Sequence, residues 1–207
     1  MHLDFLEIGT CNFKTLLKDA AKSSQDITGL SVEPIKYYLD TLPNKKNLHK
    51  VNCAISANNL EGEVSIFYIP EKVVADKGLS RWVKGSSMIG DHHPGWLPLI
   101  RQGKIDPQTD VVEEKVKEIP IAKLLEDYNV ESINNFKIDT EGSDCAILMH
   151  LKKFLLTKSK SLYPKTIKFE SNFLTSKETV DNVIKEYKEL GYILVSRDLD
   201  TVLKRVE

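Results

Sequence analysis

Short apolar runs alternate with amphipathic stretches along most of the chain. Residues 3–9 form an apolar run that ends in glycine, and helix-forming residues at 14–22 follow the N-cap residue Asn12, so a strand, a turn and a helix are predicted. The same alternation predicts strands at 28–33, 50–56, 134–139 and 165–170, helices at 35–42 and 143–156, and a last helix with Val180, Val183, Ile184, Tyr187 and Leu190 on one face. Repeated strand-helix-strand units are typical of right-handed crossovers between parallel strands.

The centre and the C-terminal end of the chain depart from this pattern. Residues 63–69 and 111–119 alternate apolar and polar positions as half-exposed strands do. Residues 192–195 and 201–206 are predicted as two closely spaced strands that pair antiparallel. Residues 76–110 contain glycine, proline, serine, histidine and both tryptophans without a clear period. A long irregular segment in a compact domain is usually a lid or a binding loop.

Together these elements predict an α/β fold with one doubly wound, mostly parallel sheet and an inserted irregular loop at residues 76–110. The chain of 207 residues is 41% hydrophobic and 29% charged, a composition typical of globular proteins, so a single domain over residues 1–207 is expected. Doubly wound sheets bind ligands beyond the carboxyl ends of their strands. Candidate chemistry is therefore expected at those ends.

Charge and cysteine content argue against several classes of protein. Lys and Arg total 29 against 30 for Asp and Glu, and only four of the basic residues are Arg, so the guanidinium groups that read nucleic acid are scarce. Cys11, Cys53 and Cys145 lie far apart without a C-x-x-C spacing, which indicates neither a disulfide framework nor a zinc site. No targeting segment or membrane-spanning apolar run is apparent. We therefore expect a cytoplasmic protein that binds neither nucleic acid nor a membrane.

Two strand ends carry the first chemical signal. Gly9 allows a tight turn that exposes N–H groups, and Glu33 ends the next strand, where nucleotide-binding α/β folds place an acid against ribose hydroxyls. A dinucleotide needs a G-x-G-x-x-G turn, but Cys11 and Lys14 stand where the further glycines would be. S-adenosylmethionine has no pyrophosphate, so a turn with one glycine suits it better than NAD. Each residue alone also has a structural explanation, because glycines end strands for packing and strand-end acids are often merely solvated.

Residues 137–144 read K-I-D-T-E-G-S-D. Three other segments are compared together with it: V-E-P at residues 32–34, N-C-A-I-S at 52–56 and K-F-E at 168–170. In order and spacing these segments resemble the FkbM family of S-adenosylmethionine-dependent methyltransferases over nearly the whole chain, with Asp144 in place of the last Glu of the K-I-D-x-E-G-x-E signature. The family's first motif, D-x-G-A-N-x-G, is altered here, since Glu7 replaces the Asp, Asn12 lies one residue late and the closing glycine is absent.

The resemblance implies a Rossmann-like sheet of seven strands in the order 3-2-1-4-5-7-6 and methyl transfer to an oxygen acceptor. It implies that Glu33 binds the ribose hydroxyls, that the turn after the first strand holds the methionine part, and that Asp139 lies near the methyl group. The cofactor-binding residues expected on this basis are Glu7, Gly9, Thr10, Asn12, Glu33, Pro34, Asn52, Ala54 and Asp139. Glu141 is expected beside Asp139, although residues 139–143 also read as an acidic, serine-capped helix start.

The irregular segment is expected to meet the acceptor. A sugar needs aromatic faces and polar groups, and Trp82 and Trp96 offer the first. The acceptor-binding residues expected are Trp82, Ser86, Ser87, His92, Glu141 and Glu170. We predict His93 as the general base, because histidine titrates near neutral pH, and Asp139 as the group that orients the acceptor. His92 is the alternative base. The other alternative is that the segment is a polar surface loop in which neither histidine is catalytic.

The predicted function is S-adenosylmethionine-dependent O-methylation of a hydroxyl on a sugar or glycan. No metal is expected; the alternative is that Asp91, with His92 or His93, joins Asp139 or Glu141 around Mg²⁺ or another divalent ion. Two other functions stay open: an NAD-dependent oxidoreductase or epimerase, which Glu33 would serve equally, and a non-catalytic glycan-binding module, with which the altered first motif is compatible. The first strand starts without a helix before it, so the chain is also read as a domain of a longer polypeptide.

Overall fold

The computed structural model describes residues 1–206 of the chain. The strands are β1 (His2–Ile8), β2 (Gly29–Val32), β3 (Leu48–Val51), β4 (Ala54–Ile55), β5 (Gly62–Tyr68), β6 (Met88–Ile89), β7 (Val112–Ile119), β8 (Ser132–Ile138), β9 (Thr166–Glu170), β10 (Tyr192–Arg197) and β11 (Asp200–Arg205). The helices are α1 (Leu16–Lys22), α2 (Lys36–Asp40), α3 (Glu71–Asp76), α4 (Trp82–Gly85), α5 (Leu97–Arg101), α6 (Ile121–Asp127), α7 (Asp144–Leu155) and α8 (Lys177–Lys188), with 3₁₀ turns at Pro94–Trp96 and Lys160–Leu162.

Seven strands form the larger sheet in the order β10-β11-β9-β8-β1-β2-β3. The five strands from β9 to β3 are parallel, and β11 runs antiparallel to both β9 and β10. Counted along the chain within this sheet, the order is 3-2-1-4-5-7-6. The prediction of an α/β fold with a large, mostly parallel sheet is confirmed. Because β1 lies between β2 and β8, the turns that follow these three strands meet at one edge.

Helices cover both faces of this sheet. Successive side chains of a strand point to opposite faces, so Phe5 of β1 packs with α1, α2 and β3, whereas Leu6 and Ile8 pack with α6, α7 and α8. The apolar face of α8, predicted from the spacing of Val180 to Leu190, joins the larger core. Within residues 1–206, none of the helices combines the length and apolar character needed to cross a bilayer.

The first helix begins later than predicted. Asn12 is not its N-cap; Thr15 caps α1 instead, and its hydroxyl accepts from the Lys18 N–H at 3.1 Å. The side chain of Asn12 donates to Glu71, at the start of α3. The Asn12 amide is therefore engaged by α3 and is not available to the first turn of α1.

The single strand predicted over residues 50–56 is wrong, because the chain leaves the large sheet there. β3 ends, and after a corner at Asn52 the chain begins a second sheet in the order β4-β7-β5-β6. The Asn52 amide holds this corner by donating to the carbonyl oxygens of Glu33 and Pro34 at 2.9 and 2.7 Å. β5 and β7, both predicted from their alternation, pair antiparallel. β4 runs parallel to the end of β7, so the segment between them begins and ends at adjacent positions.

Residues 76–110 are not structureless, although short regular elements cover fewer than half of them. They contain α4, β6, a 3₁₀ turn and α5, each between two and five residues long. Val83, Trp96 and Ile105 of this segment form a small core with Ile69 and Val74, which precede it. Elements this short show no period in a sequence, so packing around the fully buried Trp96 defines them.

Candidate active site

A pocket opens where the strands of the large sheet end. Gly9, Glu33 and Asp139, which follow β1, β2 and β8, all line it. Apolar side chains provide much of the remaining wall, among them Tyr38, Ala54, Ile55, Ile66 and Ile89. The other lining residues are Ile8, Thr10, Cys11, Phe13, Lys14, Pro34, Cys53, Lys84, Gly85, Ser87, Lys137, Thr140 and Glu141. The pocket therefore joins the carboxyl edge of the large sheet to the inserted segment.

The turn after β1 packs tightly against the end of β8. Gly9 has a φ of +76°, and a Cβ on this residue would lie 1.7 Å from the carbonyl oxygen of Asp139. Cys11 also has a positive φ of 43°, and its N–H donates to Glu33 Oε2 at 2.6 Å. Because no side chain fits at Gly9, the backbone there can approach both Asp139 and a ligand closely.

Glu33 is a buried carboxyl group in the pocket wall. Its Oε2 accepts from the Cys11 N–H and, at 3.4 Å, from the Thr10 hydroxyl, while Oε1 accepts from the Ile35 N–H at 3.0 Å. These donors favour the charged form, but burial has the larger effect and raises the pKa of Glu33 to about 7. The group is therefore an acceptor for ligand hydroxyls when it is ionised.

Glu7 lies beneath the same turn, outside the pocket. It is fully buried, its Oε1 pairs with Lys137 Nζ at 2.9 Å, and its Oε2 accepts from the Leu16 N–H at 2.9 Å. Glu7 thereby connects β1, β8 and the start of α1. Its contacts support the turn from below. The side-chain amides of Asn12 and Asn52 likewise donate hydrogen bonds to groups of the protein itself.

Carboxyl groups cluster where β8 and β9 end. Asp144 accepts from the N–H groups of Thr140 and Glu170, at 2.7 and 2.8 Å, and so ties the two strand ends together. Burial, followed by the charges of Asp144 and Glu141, raises the pKa of Asp139 to about 7. Burial and the neighbouring carboxylates raise the pKa of Glu170 to about 9. The cluster therefore holds protons at neutral pH.

His93 reaches the pocket edge from the inserted segment. Its Nε2 lies 3.0 Å from Glu141 Oε2, and its Nδ1 accepts from the Gly95 N–H at 3.0 Å. The ring is only 3% exposed and lies behind Glu141, which itself lines the pocket. Glu141 has a φ of 52°, a strained conformation for a residue other than glycine that is often found at functional sites.

Comparison with known families matches residues 7–194 to the methyltransferase FkbM domain. The chain belongs to the FkbM methyltransferase family. The resemblance read from the K-I-D-T-E-G segment is thereby confirmed, and the match spans every residue that lines the pocket. No curated protein and no solved structure matches the chain significantly.

The FkbM signature occupies the end of β8 and the turn beyond it. Lys137, Asp139, Thr140 and Glu141 line the pocket, whereas Asp144 lies behind them and fixes the turn. Of the other expected cofactor residues, Gly9, Thr10, Glu33, Pro34 and Ala54 also line it. The structure thus brings together residues from four separate chain segments.

The acceptor residues expected in this FkbM domain are less closely grouped. Ser87 and Glu141 line the pocket, and Trp82 is 46% exposed with its ring 6.4 Å from that of His93. Ser86 is buried, since its hydroxyl accepts from Trp96 Nε1 at 2.7 Å. Trp96 itself is fully buried, so the expectation that its ring faces a sugar is wrong. It is a core residue of the inserted segment.

Two further expected residues lie away from the pocket. The His92 ring packs edge-on against Phe67, with 5.3 Å between centroids. Glu170 lies behind the pocket, where its N–H donates to Asp144, and its Oε2 is a buried oxygen without a hydrogen-bond partner among residues 1–206. Neither side chain faces the pocket.

Several further residues lie at or beside this FkbM site. Phe13 and Lys84 line the pocket, and Lys84 is buried, pairs with Glu71 at 2.6 Å and lies 5.0 Å from the Phe13 ring. Phe173 is 75% exposed and its ring lies 6.5 Å from that of His93. Phe13 could have been found from its place directly after the β1 turn. Lys84 and Phe173 stand in segments without a period, so no pattern marks them.

Within residues 1–206, no group of three or more His, Cys, Asp or Glu side chains is arranged to hold a metal ion. Asp91, the residue considered with Asp139 and Glu141, instead accepts from the adjacent His92 N–H at 2.6 Å.

Proposed function

We propose that this FkbM domain is an S-adenosylmethionine-dependent O-methyltransferase that acts on a hydroxyl group of a sugar or glycan. The observation that carries the proposal is that Glu33, at the end of β2, lines the same pocket as Asp139 and Glu141, at the end of β8. An acid for the ribose, apolar surface for the adenine and carboxyl groups near the transferred methyl suit this cofactor and its acceptor. The strand order supports a Rossmann-like framework for them.

The lining of the pocket favours S-adenosylmethionine over NAD. A pyrophosphate needs a turn of bare backbone N–H groups, but after Gly9 the side chains of Cys11 and Phe13 enter the pocket wall. One of those N–H groups, that of Cys11, is already engaged by Glu33. A sulfonium cofactor has no phosphate, so it does not need free N–H groups in this turn.

Residues that follow β1 and β2, together with part of the apolar wall, would hold the cofactor. Glu33 would accept from the ribose hydroxyls, and the turn at Gly9 and Thr10 would meet the methionine part. Ala54 and Tyr38 belong to the apolar wall that an adenine ring requires. Pro34 fixes the backbone beside Glu33 and also lines the pocket.

The acceptor would enter past the inserted segment. Trp82 offers a half-exposed aromatic face beside His93, which contacts Glu141, and Ser87 offers a hydroxyl in the pocket lining. Sugars bind by stacking C–H surface on aromatic rings and by hydrogen bonds from their hydroxyls. This combination supports a sugar or glycan as the acceptor.

When bound, S-adenosylmethionine supplies an electrophilic methyl group. The protein's own residues must then align the acceptor oxygen, keep water away and remove one proton. Asp139, buried beside Gly9, is suited to orient the hydroxyl because it can accept or donate a hydrogen bond near neutral pH. The inserted segment supplies cover from solvent.

Mass spectrometry tests the proposal directly. The protein is incubated with S-adenosylmethionine and a panel of saccharides and other hydroxyl compounds, with and without a chelator, and products are examined for the mass increase of one CH₂. A methylated saccharide is expected, with equal yield in chelator, since the sulfonium leaving group needs no Lewis acid. Methylation confined to amines would refute the O-methyltransferase assignment.

Calorimetry separates the rival functions. Titration with S-adenosylmethionine and with NAD⁺ is expected to give binding of the first alone. Binding of NAD⁺ alone would replace the proposal with an oxidoreductase or epimerase, and saccharide binding without either cofactor would indicate a glycan-binding module.

A further inference from the structure

The two ring nitrogens of His93 have different partners, and these determine where its proton is. The Gly95 N–H donates to Nδ1 at 3.0 Å, so Nδ1 carries a lone pair and no hydrogen. In a neutral imidazole the hydrogen is then on Nε2, which lies 3.0 Å from Glu141 Oε2. His93 therefore donates to Glu141, and both of its nitrogens are occupied.

The surroundings of His93 keep it in this arrangement. Its ring lies among Trp96, Trp82 and Phe173, with centroids 6.0, 6.4 and 6.5 Å away. The Gly95 backbone packs closely against the ring, because a Cβ on Gly95 would lie 2.9 Å from His93 Nδ1. A ring so enclosed has no free lone pair to offer to an acceptor in the pocket.

Glu141 has the complementary properties. It lines the pocket, and its Oε2 is held by His93, while Oε1 has no hydrogen-bond partner among residues 1–206. Its backbone is held in the left-handed region at a φ of 52° and is followed by Gly142 at a φ of 99°. A side chain whose position is set by a strained turn and by a hydrogen bond is pre-organised for one task.

We infer that Glu141, and not His93, is the general base of methyl transfer, and that His93 is a positioning residue that fixes the Glu141 carboxylate. The inference rests on the proposed function. In the step, the acceptor O–H bond breaks and its proton passes to Glu141 Oε1. The oxygen forms a bond to the methyl carbon, and the carbon–sulfur bond breaks with its electron pair remaining on sulfur, so the sulfonium becomes a neutral thioether.

Two substitutions of one residue separate the two roles of a histidine. In His93→Gln the amide nitrogen replaces Nε2 and can still donate to Glu141, but an amide cannot accept a proton at neutral pH. In His93→Asn the amide oxygen replaces Nδ1 and can still accept from Gly95, but the side chain is too short to reach Glu141. If His93 positions Glu141, His93→Gln keeps a kcat at least about tenfold above that of His93→Asn.

The same assay decides against the inference if the two variants behave alike. A base at His93 would be lost in both, with kcat lowered by about 10²–10⁴-fold in each. Glu141→Gln is expected to lower kcat by that same factor of about 10²–10⁴, while the Kd for S-adenosylmethionine stays unchanged. Full activity in Glu141→Gln would overturn the assignment of the base.

A measurement on the unmodified protein keeps the inference independent of the acceptor. Imidazole nitrogen chemical shifts report the tautomer of each histidine, and the His93 signal is identified by its loss in His93→Gln. We expect the Nε2–H tautomer for His93 and a shift of its Nε2 signal in Glu141→Gln. An Nδ1–H tautomer would refute the positioning role even where no acceptor is known. Absence of methyl transfer to any hydroxyl, with the expected tautomer present, would instead count against the proposed function.

Discussion

Two glutamates at neighbouring positions of the sheet serve different purposes at the scale of single residues. Glu7 is fully buried in an ion pair with Lys137 and supports the β1 turn, whereas Glu33 faces the pocket. The difference follows from strand direction and pleat, because Glu7 lies within β1 and Glu33 lies just beyond β2. A carboxyl group beyond a strand end is accessible to a ligand, and one within a strand is covered by a helix.

Substitution of Glu33 tests its role in binding the ribose. Glu33→Ala is expected to weaken S-adenosylmethionine binding by about 1.5–3 kcal/mol, the usual range for hydrogen bonds to a charged group. Calorimetry measures the change, and Asp40→Ala is the control, because Asp40 is an exposed acid on α2 that pairs with Lys36. An unchanged affinity in a folded Glu33→Ala protein would remove Glu33 from the cofactor site.

Two glycines allow the effect of close packing to be separated from that of backbone conformation. Gly9 and Gly78 both have positive φ, +76° and +60°, but a Cβ at Gly78 meets nothing within 4 Å. Gly78→Ala is expected to cost about 1–2 kcal/mol of unfolding free energy. Gly9→Ala should cost distinctly more and abolish cofactor binding, because its Cβ would collide with the Asp139 carbonyl. Urea unfolding measures both, and equal losses would contradict the packing argument.

Site residues beside strand ends can be identified from the sequence, but site residues in segments without periodicity cannot. Gly9, Glu33 and Asp139 line the pocket because parallel strands all end at one edge, which the order of elements predicts. Lys84 and Phe173 reach the site through tertiary packing of segments without periodicity. The hydrogen bonds of His93 depend on the position of Gly95, which composition does not reveal.

The inserted segment packs with Ile69 and Val74 into a small core, and Trp96 is the largest buried residue of that core. Trp96→Ala is expected to destabilise the protein by about 3–5 kcal/mol, because it leaves a cavity and removes the partner of the Ser86 hydroxyl. Trp82→Ala is the matched control, since this tryptophan is 46% exposed. Thermal or urea unfolding should show a much smaller loss for Trp82→Ala, and the reverse order would contradict the assignment of Trp96 to the core.

The second sheet shows which whole elements a sequence pattern can predict and which it cannot. β5 and β7 were predicted because seven or eight alternating residues produce a clear period. The sequence does not show the division between β3 and β4, because only two residues separate the strands and Asn52 is the one polar residue between Val51 and the apolar run at residues 53–55. The corner is created by the Asn52 amide bonding to the end of β2, a contact between residues distant in sequence.

The whole molecule carries a formal net charge of −1, yet its carboxyl groups are unevenly placed. Asp139, Glu141, Asp144 and Glu170 lie together, and burial with mutual repulsion raises the pKa of Asp139 to about 7 and that of Glu170 to about 9. The folded protein therefore keeps protons that the unfolded chain releases above about pH 4.5. The contribution of these groups to the free energy of unfolding therefore falls as the pH rises, until the pH exceeds their pKa in the folded protein.

Glu170→Gln tests this dependence. The variant is expected to lose less unfolding free energy than the original protein between about pH 5 and about pH 8, because it removes one group whose folded pKa is raised. Part of the slope remains in the variant, since Asp139 is unchanged. Glu178→Gln, at an exposed position in the first turn of α8, is the control. Identical pH profiles for the original protein and Glu170→Gln, measured by urea unfolding, would contradict the prediction.

The parallel pairing of β4 with the end of β7 also has a consequence for how such a protein can diversify. Because Ile55 lies opposite Ile119, the whole excursion between them is closed at its base. Lengthening a loop within this excursion adds a closure entropy of only about 0.6 kcal/mol for each doubling of loop length, provided that its small core and its pocket-lining residues are kept. Loops of the excursion that lie outside the pocket can therefore vary in length, while the large sheet keeps Gly9, Glu33 and Asp139 in place at its edge.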